Sequence, residues 1–234
     1  MPDWLHTLSI LSLLLGLASA VIVLIDGTRR MQHMAIMKIV WPLVALFGGL
    51  FTLAFYWRYG RGMPKGHEMH HMDPPPFPVS VAKGAAHCGA GCALGDMLAE
   101  GLALAVPGVL VWMGYGSLFE ERIFATWVLD FIFAFGLGVV FQYFAIAPMR
   151  DLSPGAGIRA ALKADTLSLT SWQVGMYAFM ALAHFWLFGH ILGVDLPVAS
   201  AEFWFMMQIA MLCGFATSYP VNWWLIRKGI KERM

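Results

Sequence analysis

The sequence predicts an all-α protein, a polytopic bundle of transmembrane helices, and two observations lead to that prediction. First, 59% of the 234 residues are hydrophobic and 12% are charged, whereas soluble domains carry roughly 25% charged residues. Second, apolar stretches of about 20 residues, the length that crosses a hydrocarbon core of about 30 Å, recur along the chain about six times. Six spans and their connections use the whole length, so we expect no second folded domain.

We expect the first apolar stretch to be a retained helix and not a signal peptide. No Lys or Arg precedes it, and residues 21–25 continue the apolar run past the small residues that resemble a cleavage site. The predicted spans are Trp4–Ile25, Ala35–Trp57, Cys92–Met113, Ile123–Ala147, Leu167–Leu192 and Phe203–Ile226. They divide the chain into two N-terminal transmembrane helices (1–57), a His-, Met- and Pro-rich loop (58–91) and a four-helix transmembrane region (92–234).

The distribution of Lys and Arg predicts the orientation. With six spans and the N-terminus inside, the cytoplasmic segments hold most of these residues, and the outer segments keep only Arg29, Arg30 and Arg122. Because cytoplasmic loops are enriched in Lys and Arg, we expect both termini and the 58–91 loop in the cytoplasm. The orientation inverts if one of the spans does not cross.

Several functional classes lack support in the sequence. A formal net charge of +1 argues against nucleic-acid binding, which needs clustered positive charge. The chain has no P-loop, no dinucleotide-binding glycine motif, no G-x-S-x-G and no H-E-x-x-H. Three cysteines, two of them only four residues apart, do not make a secreted disulfide framework. We expect the protein to lie in the lipid bilayer and to bind a small ligand, such as a metal ion.

The strongest candidate site is the segment from His87 to Glu100. If this segment is helical, Cys88, Cys92, Asp96 and Glu100 stand at successive i+4 positions and form one polar seam. Acidic residues inside a membrane are costly, and by default they mark ion pathways, proton relays or buried ion pairs. Two thiols beside a histidine suit Cu(I) or Zn(II), or a reversible disulfide. Alternatively, the carboxylates are paired and the cysteines only pack.

The loop at residues 67–73 is a second candidate for metal binding. His67, His70 and His71 have the i, i+3, i+4 spacing of one helical turn, with Met69 and Met72 as neighbours. Imidazole with thioether ligands favours copper, and imidazole with carboxylate also accepts zinc or nickel. The alternative is a solvated polar loop.

A third candidate lies within the predicted bundle. Met176, Met180 and His184 repeat at i+4 on the fifth span, and Met207 and Met211 do so on the sixth. Facing one another, they would offer soft ligands along a path, although methionine is also ordinary filler in apolar cores. A haem pair on the fifth span is disfavoured, since His184 and His190 lie six residues apart and point to different faces. Further polar groups within or beside the spans are Asp130, Gln142, Asp165, Ser168, Ser171 and Asn222.

Five stretches of the sequence carry a resemblance to a known family. They are His87–Asp96 (HCGAGCALGD), Phe141–Arg150 (FQYFAIAPMR), Ala164–Asp165, Trp172–Tyr177 (WQVGMY) and Phe205–Met211 (FMMQIAM). Together they resemble a family of bacterial integral membrane proteins that is catalogued only as a domain of unknown function. The resemblance covers roughly residues 85–234 and implies a multi-pass protein of the bacterial inner membrane. It implies no activity.

The leading functional hypothesis is a membrane protein that handles a transition metal, copper first, in transport, export or insertion. The 67–73 loop would collect the ion, His87, Cys88 and Cys92 would receive it, and the acids and methionines would line its onward route. One alternative is a membrane redox enzyme that uses the cysteine pair or a bound haem or quinone. Another is an accessory or assembly subunit of a membrane complex. The sequence leaves a homo-oligomer or a larger complex open.

Overall fold

The structure is a computed structural model, and it describes residues 1–32, 34–64 and 75–233. In chain order its elements are α1 (Asp3–Thr28), β1 (Arg30–Met31), α2 (Met37–Phe55), β2 (Met63–Pro64), α3 (Phe77–Ala105), α4 (Val109–Trp112), α5 (Arg122–Arg150), α6 (Pro154–Ala181) and α7 (Ala201–Arg227). Helix α2 continues as a π-helix over Tyr56–Gly60, and α6 continues as one over Leu182–Leu192. The predicted all-α bundle is confirmed.

Five helices are long and apolar enough to cross a membrane: α1, α2 with its extension, α3, α5, and α6 with its extension. Helix α7 has 27 residues but is not among these five. Polar residues along it, such as Gln208, Ser218 and Asn222, are buried inside the bundle. The five long apolar helices indicate that the chain is a helical membrane protein.

Helix α3 begins earlier than predicted. We expected a loop as far as Gly91, but the helix starts at Phe77, with Pro78 in its first turn, where proline is well tolerated. Small residues on this helix allow neighbours to approach closely. A Cβ added at Gly91 would lie 2.7 Å from the Cα of Gly138 on α5, and one at Gly89 would collide with the ring of Trp172 on α6. The predicted 58–91 loop is thus partly a packed helix.

Helix α2 folds back on itself and does not form the single predicted span. Gly49 has φ +50° and ψ −130°, which breaks the helix, and this conformation is open to glycine. The ring centroids of Trp41 and Tyr56 lie 5.7 Å apart, although 15 residues of straight helix extend about 22 Å. The Thr52 hydroxyl donates to the carbonyl of Val44 at 3.4 Å. Two antiparallel arms of about 18 Å each therefore form a helical hairpin.

Both ends of this hairpin lie beside the end of α1. Strand β1, which follows α1, pairs with β2, which follows the hairpin, in antiparallel register. The Arg61 guanidinium lies 2.9 Å from the Asp26 carboxylate, and the Tyr56 hydroxyl donates to the same carboxylate at 2.8 Å. The hairpin therefore enters and leaves the bundle at one end.

The tip of the hairpin is held inside the bundle by α7 and α1. The turn at Gly49 frees helical carbonyls, and the side-chain amide of Gln208 donates to the Leu46 carbonyl at 2.6 Å. The Gln208 oxygen in turn accepts from the Ser12 hydroxyl at 2.7 Å. A freed carbonyl in an apolar interior needs such a partner, so Gln208 stabilises the turn.

The two chain termini lie at opposite ends of the bundle. His6 near the start of α1 contacts Glu202 near the start of α7 at 2.8 Å, so these helices begin together. The ring of Phe77 at the start of α3 lies 4.8 Å from that of Trp223 near the end of α7. This differs from the expectation that both termini share one side, because α2 returns to the end at which it entered. We call the end with the start of α3 and the end of α7 the basic end, and the other the N-terminal end.

We predict that Gly49→Ala destabilises the protein by about 1–3 kcal/mol, because a Cβ at this φ and ψ is strained. The measurement is the thermal unfolding midpoint of the purified protein in detergent. Gly136→Ala is the matched control, since it adds a Cβ to an exposed position of α5 with open space around it and should be neutral or mildly stabilising. Equal shifts for both variants would contradict the hairpin turn.

Candidate functional site

The polar seam of α3 lies inside the bundle. Cys88 and Cys92 are fully buried, and Asp96 and Glu100 are 1% and 4% exposed. Helices α5, α6 and α7 pack around α3 and cover it. The condition on which the seam was predicted, a helical segment through Cys88 and Glu100, is met.

A lysine inserts into the basic end of the seam. The Lys231 ammonium lies 2.5 Å from Asp165 Oδ1 and 2.8 Å from Cys88 Sγ, and both side chains of the ion pair are fully buried. The Cys88 thiol also donates to the Asp165 carboxylate at 3.0 Å. Three elements, α3, α6 and the segment after α7, therefore meet at one charged contact.

Hydroxyl and amide groups extend this contact across α6 and α7. Ser168 Oγ lies 3.1 Å from Cys88 Sγ and accepts from Asn222 Nδ2 at 2.6 Å. Asn222 also donates to the Ser218 hydroxyl at 2.8 Å. We call these residues, Cys88, Asp165, Ser168, Ser218, Asn222 and Lys231, the lysine cluster.

The surroundings of Lys231 favour its charged form despite its burial. Burial alone would lower the pKa of its ammonium, but the Asp165 carboxylate and the Cys88 sulfur together raise that pKa above its ordinary value. A buried ion pair of this kind is costly to break, because one partner alone is an uncompensated charge. The cluster therefore fixes the segment after α7 against the bundle.

A second polar group lies further along α3. Asp96 Oδ1 accepts from the Gln173 amide at 3.2 Å, and the same amide donates to the Tyr177 hydroxyl at 3.1 Å. Tyr177 donates to the backbone carbonyl of Trp127 at 2.9 Å, and the two rings stack with centroids 4.7 Å apart. With Asp130 and Glu100, these side chains form what we call the carboxylate cluster: Asp96, Glu100, Asp130, Gln173 and Tyr177.

Two carboxylates of this cluster lack partners that would compensate a negative charge. Both oxygens of Asp130 and the Oδ2 of Asp96 are buried without a hydrogen bond to any described residue. Asp130 also lies within electrostatic range of Asp96 and Glu100. Charged groups buried without partners are strongly unfavourable. Such carboxylates attract a proton or a bound cation.

Comparison with known proteins places most of the bundle in one family. Residues 79–231 match the family described as a domain of unknown function, DUF4396. The chain belongs to this DUF4396 family. The resemblance to a family without an assigned function is thereby confirmed. No curated protein and no solved structure matches the chain.

The DUF4396 region contains both clusters. It begins in the first turn of α3 and ends at Lys231, so each residue of the lysine and carboxylate clusters lies within it. Helix α1 and the hairpin precede it and pack against α7 through Ser12 and Gln208. All residues of the candidate site thus come from the DUF4396 region, and the N-terminal part packs against that region.

The predicted methionines lie within the bundle. Met176 and Met180 on α6 are buried. Met207 and Met211 on α7 line a cavity of about 190 Å³ together with Asp96. Two predicted soft ligands and one predicted carboxylate therefore line the same cavity.

The predicted histidines do not converge on the cysteines. His87 is fully buried and packs edge-to-face with the ring of Phe141, with centroids 6.3 Å apart. His184 lies toward the N-terminal end, where it lines a second cavity of about 240 Å³ with Glu100 and Arg122. His67, His70 and His71 lie outside the described residues.

Within the described ranges, no three His, Cys, Asp or Glu side chains are grouped closely enough to hold a metal ion. Cys88 and Asp165 do meet, and the third charged group at this contact is the Lys231 ammonium. Metal binding therefore stays a prediction.

Sequence reasoning missed the two side chains that complete the clusters. In the sequence Lys231 is only one of the positive charges that predict a cytoplasmic C-terminus, and its spacing gives no sign that it inserts between α3 and α6. Tyr177 belongs to a family motif, but no pattern indicates that its hydroxyl reaches Gln173. Asp165, Ser168 and Asn222 were recognisable as polar groups in or next to apolar spans.

Proposed function

We propose that this protein moves a cation across the bacterial inner membrane along the polar seam of α3. The observation that carries the proposal is the pair of buried carboxylates, Asp96 and Asp130, whose oxygens lack a cationic partner among the described residues. A cation or proton in transit would supply the missing positive charge. The nearest alternative function, a purely structural seam, would instead keep these carboxyl groups permanently protonated or paired within the protein.

The seam covers more than half of the thickness that a path must cross. Successive i+4 positions on a helix are about 6 Å apart, so Cys88 to Glu100 extends about 18 Å of a hydrocarbon core of about 30 Å. The lysine cluster lies at one end of the seam. The cavity lined by Glu100 and His184 lies at the other.

The cation that we favour is a transition metal, with copper first. Met207 and Met211 share a cavity with Asp96, and thioethers select soft ions such as Cu(I). We place the 67–73 histidine loop at the start of the route as its collecting segment. A proton is the competing cargo, since buried acids also form proton relays.

We propose a topology of five crossings, α1, α3, α5, α6 and α7, with α2 as a re-entrant hairpin. Every described Lys and Arg other than Arg122 lies in the half of the bundle nearest the basic end. Cytoplasmic segments carry this excess, so the basic end faces the cytoplasm. The N-terminus then lies outside and the C-terminus inside. In this topology Arg29 and Arg30 lie on the cytoplasmic side with the other positive residues, whereas six crossings would place them outside.

Cysteine labelling in intact cells tests this topology. With a membrane-impermeant maleimide, we expect Asp3→Cys to be labelled in intact cells, and Arg29→Cys and Lys228→Cys only after the membrane is permeabilised. Six crossings with both termini inside predict the reverse for Asp3 and Arg29. Labelling of Arg29→Cys in intact cells would therefore contradict the hairpin topology.

Flux in proteoliposomes tests the function. We expect wild-type protein to take up Cu(I), and Asp96→Asn to reduce the initial rate at least about tenfold, which corresponds to about 1.4 kcal/mol. Asp195→Asn is the matched control, because this exposed aspartate lies in the connection before α7 and should leave the rate unchanged.

A pH-sensitive dye inside the same vesicles separates the two cargoes. Asp96-dependent proton flux without copper flux would replace the metal by a proton as the cargo. If neither flux depends on Asp96 while the variant keeps the wild-type unfolding midpoint, the transport proposal is wrong. A redox enzyme or an accessory subunit would then be the better hypothesis.

A further inference from the structure

The segment after α7 turns back and covers the basic end of the seam. Gly229 has φ +68°, and the Ile230 amide donates to the Leu225 carbonyl at 3.0 Å. This reversal carries Lys231 into the bundle. Two positions further on, the Arg233 guanidinium donates to the Pro75 carbonyl at 3.2 Å.

Arg233 also lies over the ring of Phe77, 5.3 Å from its centroid, which adds a cation–π contact. We call the segment from Lys228 to Arg233 the tail. Contacts hold it on both sides of the point where the seam reaches the basic end. One fastening is the buried ion pair of Lys231 with Asp165. The other is the exposed contact of Arg233 with the residues that begin α3.

The pocket that receives Lys231 has the donor set of a cation site. Asp165 on α6 offers a carboxylate, Cys88 on α3 a thiol, and Asn222 on α7 an amide oxygen. Asp165 Oδ2 and Asn222 Oδ1 are buried and make no hydrogen bond to a described residue. These two oxygens are therefore hydrogen-bond acceptors that the Lys231 ammonium does not use.

We propose that Cys88 and Asp165 form a metal-cation site at the basic end of the seam and that Lys231 is its tethered occupant. A lysine ammonium is a compact point charge on a flexible stem, so it can neutralise Asp165 when the site is empty and leave when the tail detaches. The tail then acts as a plug at the cytoplasmic mouth. This inference rests on the proposed function, since it assigns the first site on the same route.

The chemistry of the exchange is balanced. A soft metal ion, Cu(I) or the probe Cd²⁺, that binds here forms a bond to Cys88 Sγ as the S–H bond breaks, and the thiol proton passes to water. Asp165 exchanges the ammonium for the metal ion, and Lys231 leaves with its charge. No oxidant or reductant takes part.

Cadmium binding to the purified full-length protein tests the site, because Cd²⁺ prefers thiolate and gives an ultraviolet thiolate–cadmium band. We expect Lys231→Ala to bind Cd²⁺ at least about tenfold more tightly than wild type, with this band and a raised unfolding midpoint. Lys228→Ala is the matched control, since Lys228 is an exposed lysine of the same tail, and it should behave as wild type. Adding Cys88→Ser to Lys231→Ala should abolish the gain, and adding Asp165→Asn should weaken it.

Lys231→Gln is a second variant that perturbs folding less than Lys231→Ala. Its amide can still donate to Asp165, while the positive charge is gone. It should show the same gain in Cd²⁺ binding. If neither Lys231 variant binds Cd²⁺ more tightly than wild type, or if the band survives Cys88→Ser, the tethered-occupant inference is wrong.

The Asp96→Asn substitution separates this inference from the proposed function. Added to Lys231→Ala, it should leave Cd²⁺ binding intact, because Asp96 lies two turns away from Cys88 along α3. Tight Cd²⁺ binding together with an absence of any Asp96-dependent flux would support the site and contradict the transport route. Flux that depends on Asp96, without tighter Cd²⁺ binding by the Lys231 variants, would support the transport route and contradict the site.

Discussion

The enclosure of one polar helix face is the constraint on which the rest of this bundle depends. Hydrocarbon cannot solvate the carboxyl groups of Asp96 and Glu100, so other helices must surround that face. Small residues make the enclosure tight: a Cβ at Gly91 would approach the backbone of α5 at Gly138. Helices α3, α5, α6 and α7 thus form a closed unit, which coincides with the DUF4396 region. Inside it, the polar groups divide into a charge-balanced lysine cluster and a carboxylate cluster, in which Asp96 and Asp130 make no ion pair with a described residue.

The same constraint explains the N-terminal part. A helix that reverses inside an apolar bundle leaves backbone carbonyls without partners, and the reversal at Gly49 is tolerated because Gln208 donates to Leu46. The hairpin tip also places Phe47 against Trp172, with ring centroids 5.9 Å apart. The N-terminal part therefore contributes packing and one wall of the cavity beside Asp96, and the ionisable side chains of the two clusters come from the family region.

Some of this could be predicted from the sequence and some could not. Periodicity located the polar seam and the bounds of α5 and α7, because i+4 spacing and apolar runs are local properties. The hairpin could not be found that way, since two apolar arms of about 12 residues have the hydropathy of one span; Gly48–Gly49 is the only local sign. The start of α3 was misplaced because the glycines of residues 77–91 and the prolines before them lower helix propensity, so helicity there depends on packing. The insertion of Lys231 depends on a turn at Gly229 and on contacts with two distant helices.

Accessibility of Cys92 tests the central claim, that the seam is a route for cations, most directly. Cys92 lies between the two clusters and is fully buried. The measurement is the modification of each native cysteine by a small cationic methanethiosulfonate in sealed membranes, mapped by mass spectrometry. A route for cations predicts slow modification of Cys92 in the folded protein, slower still when the transported ion is present. Modification of Cys92 only after unfolding, with or without the ion, would contradict the account.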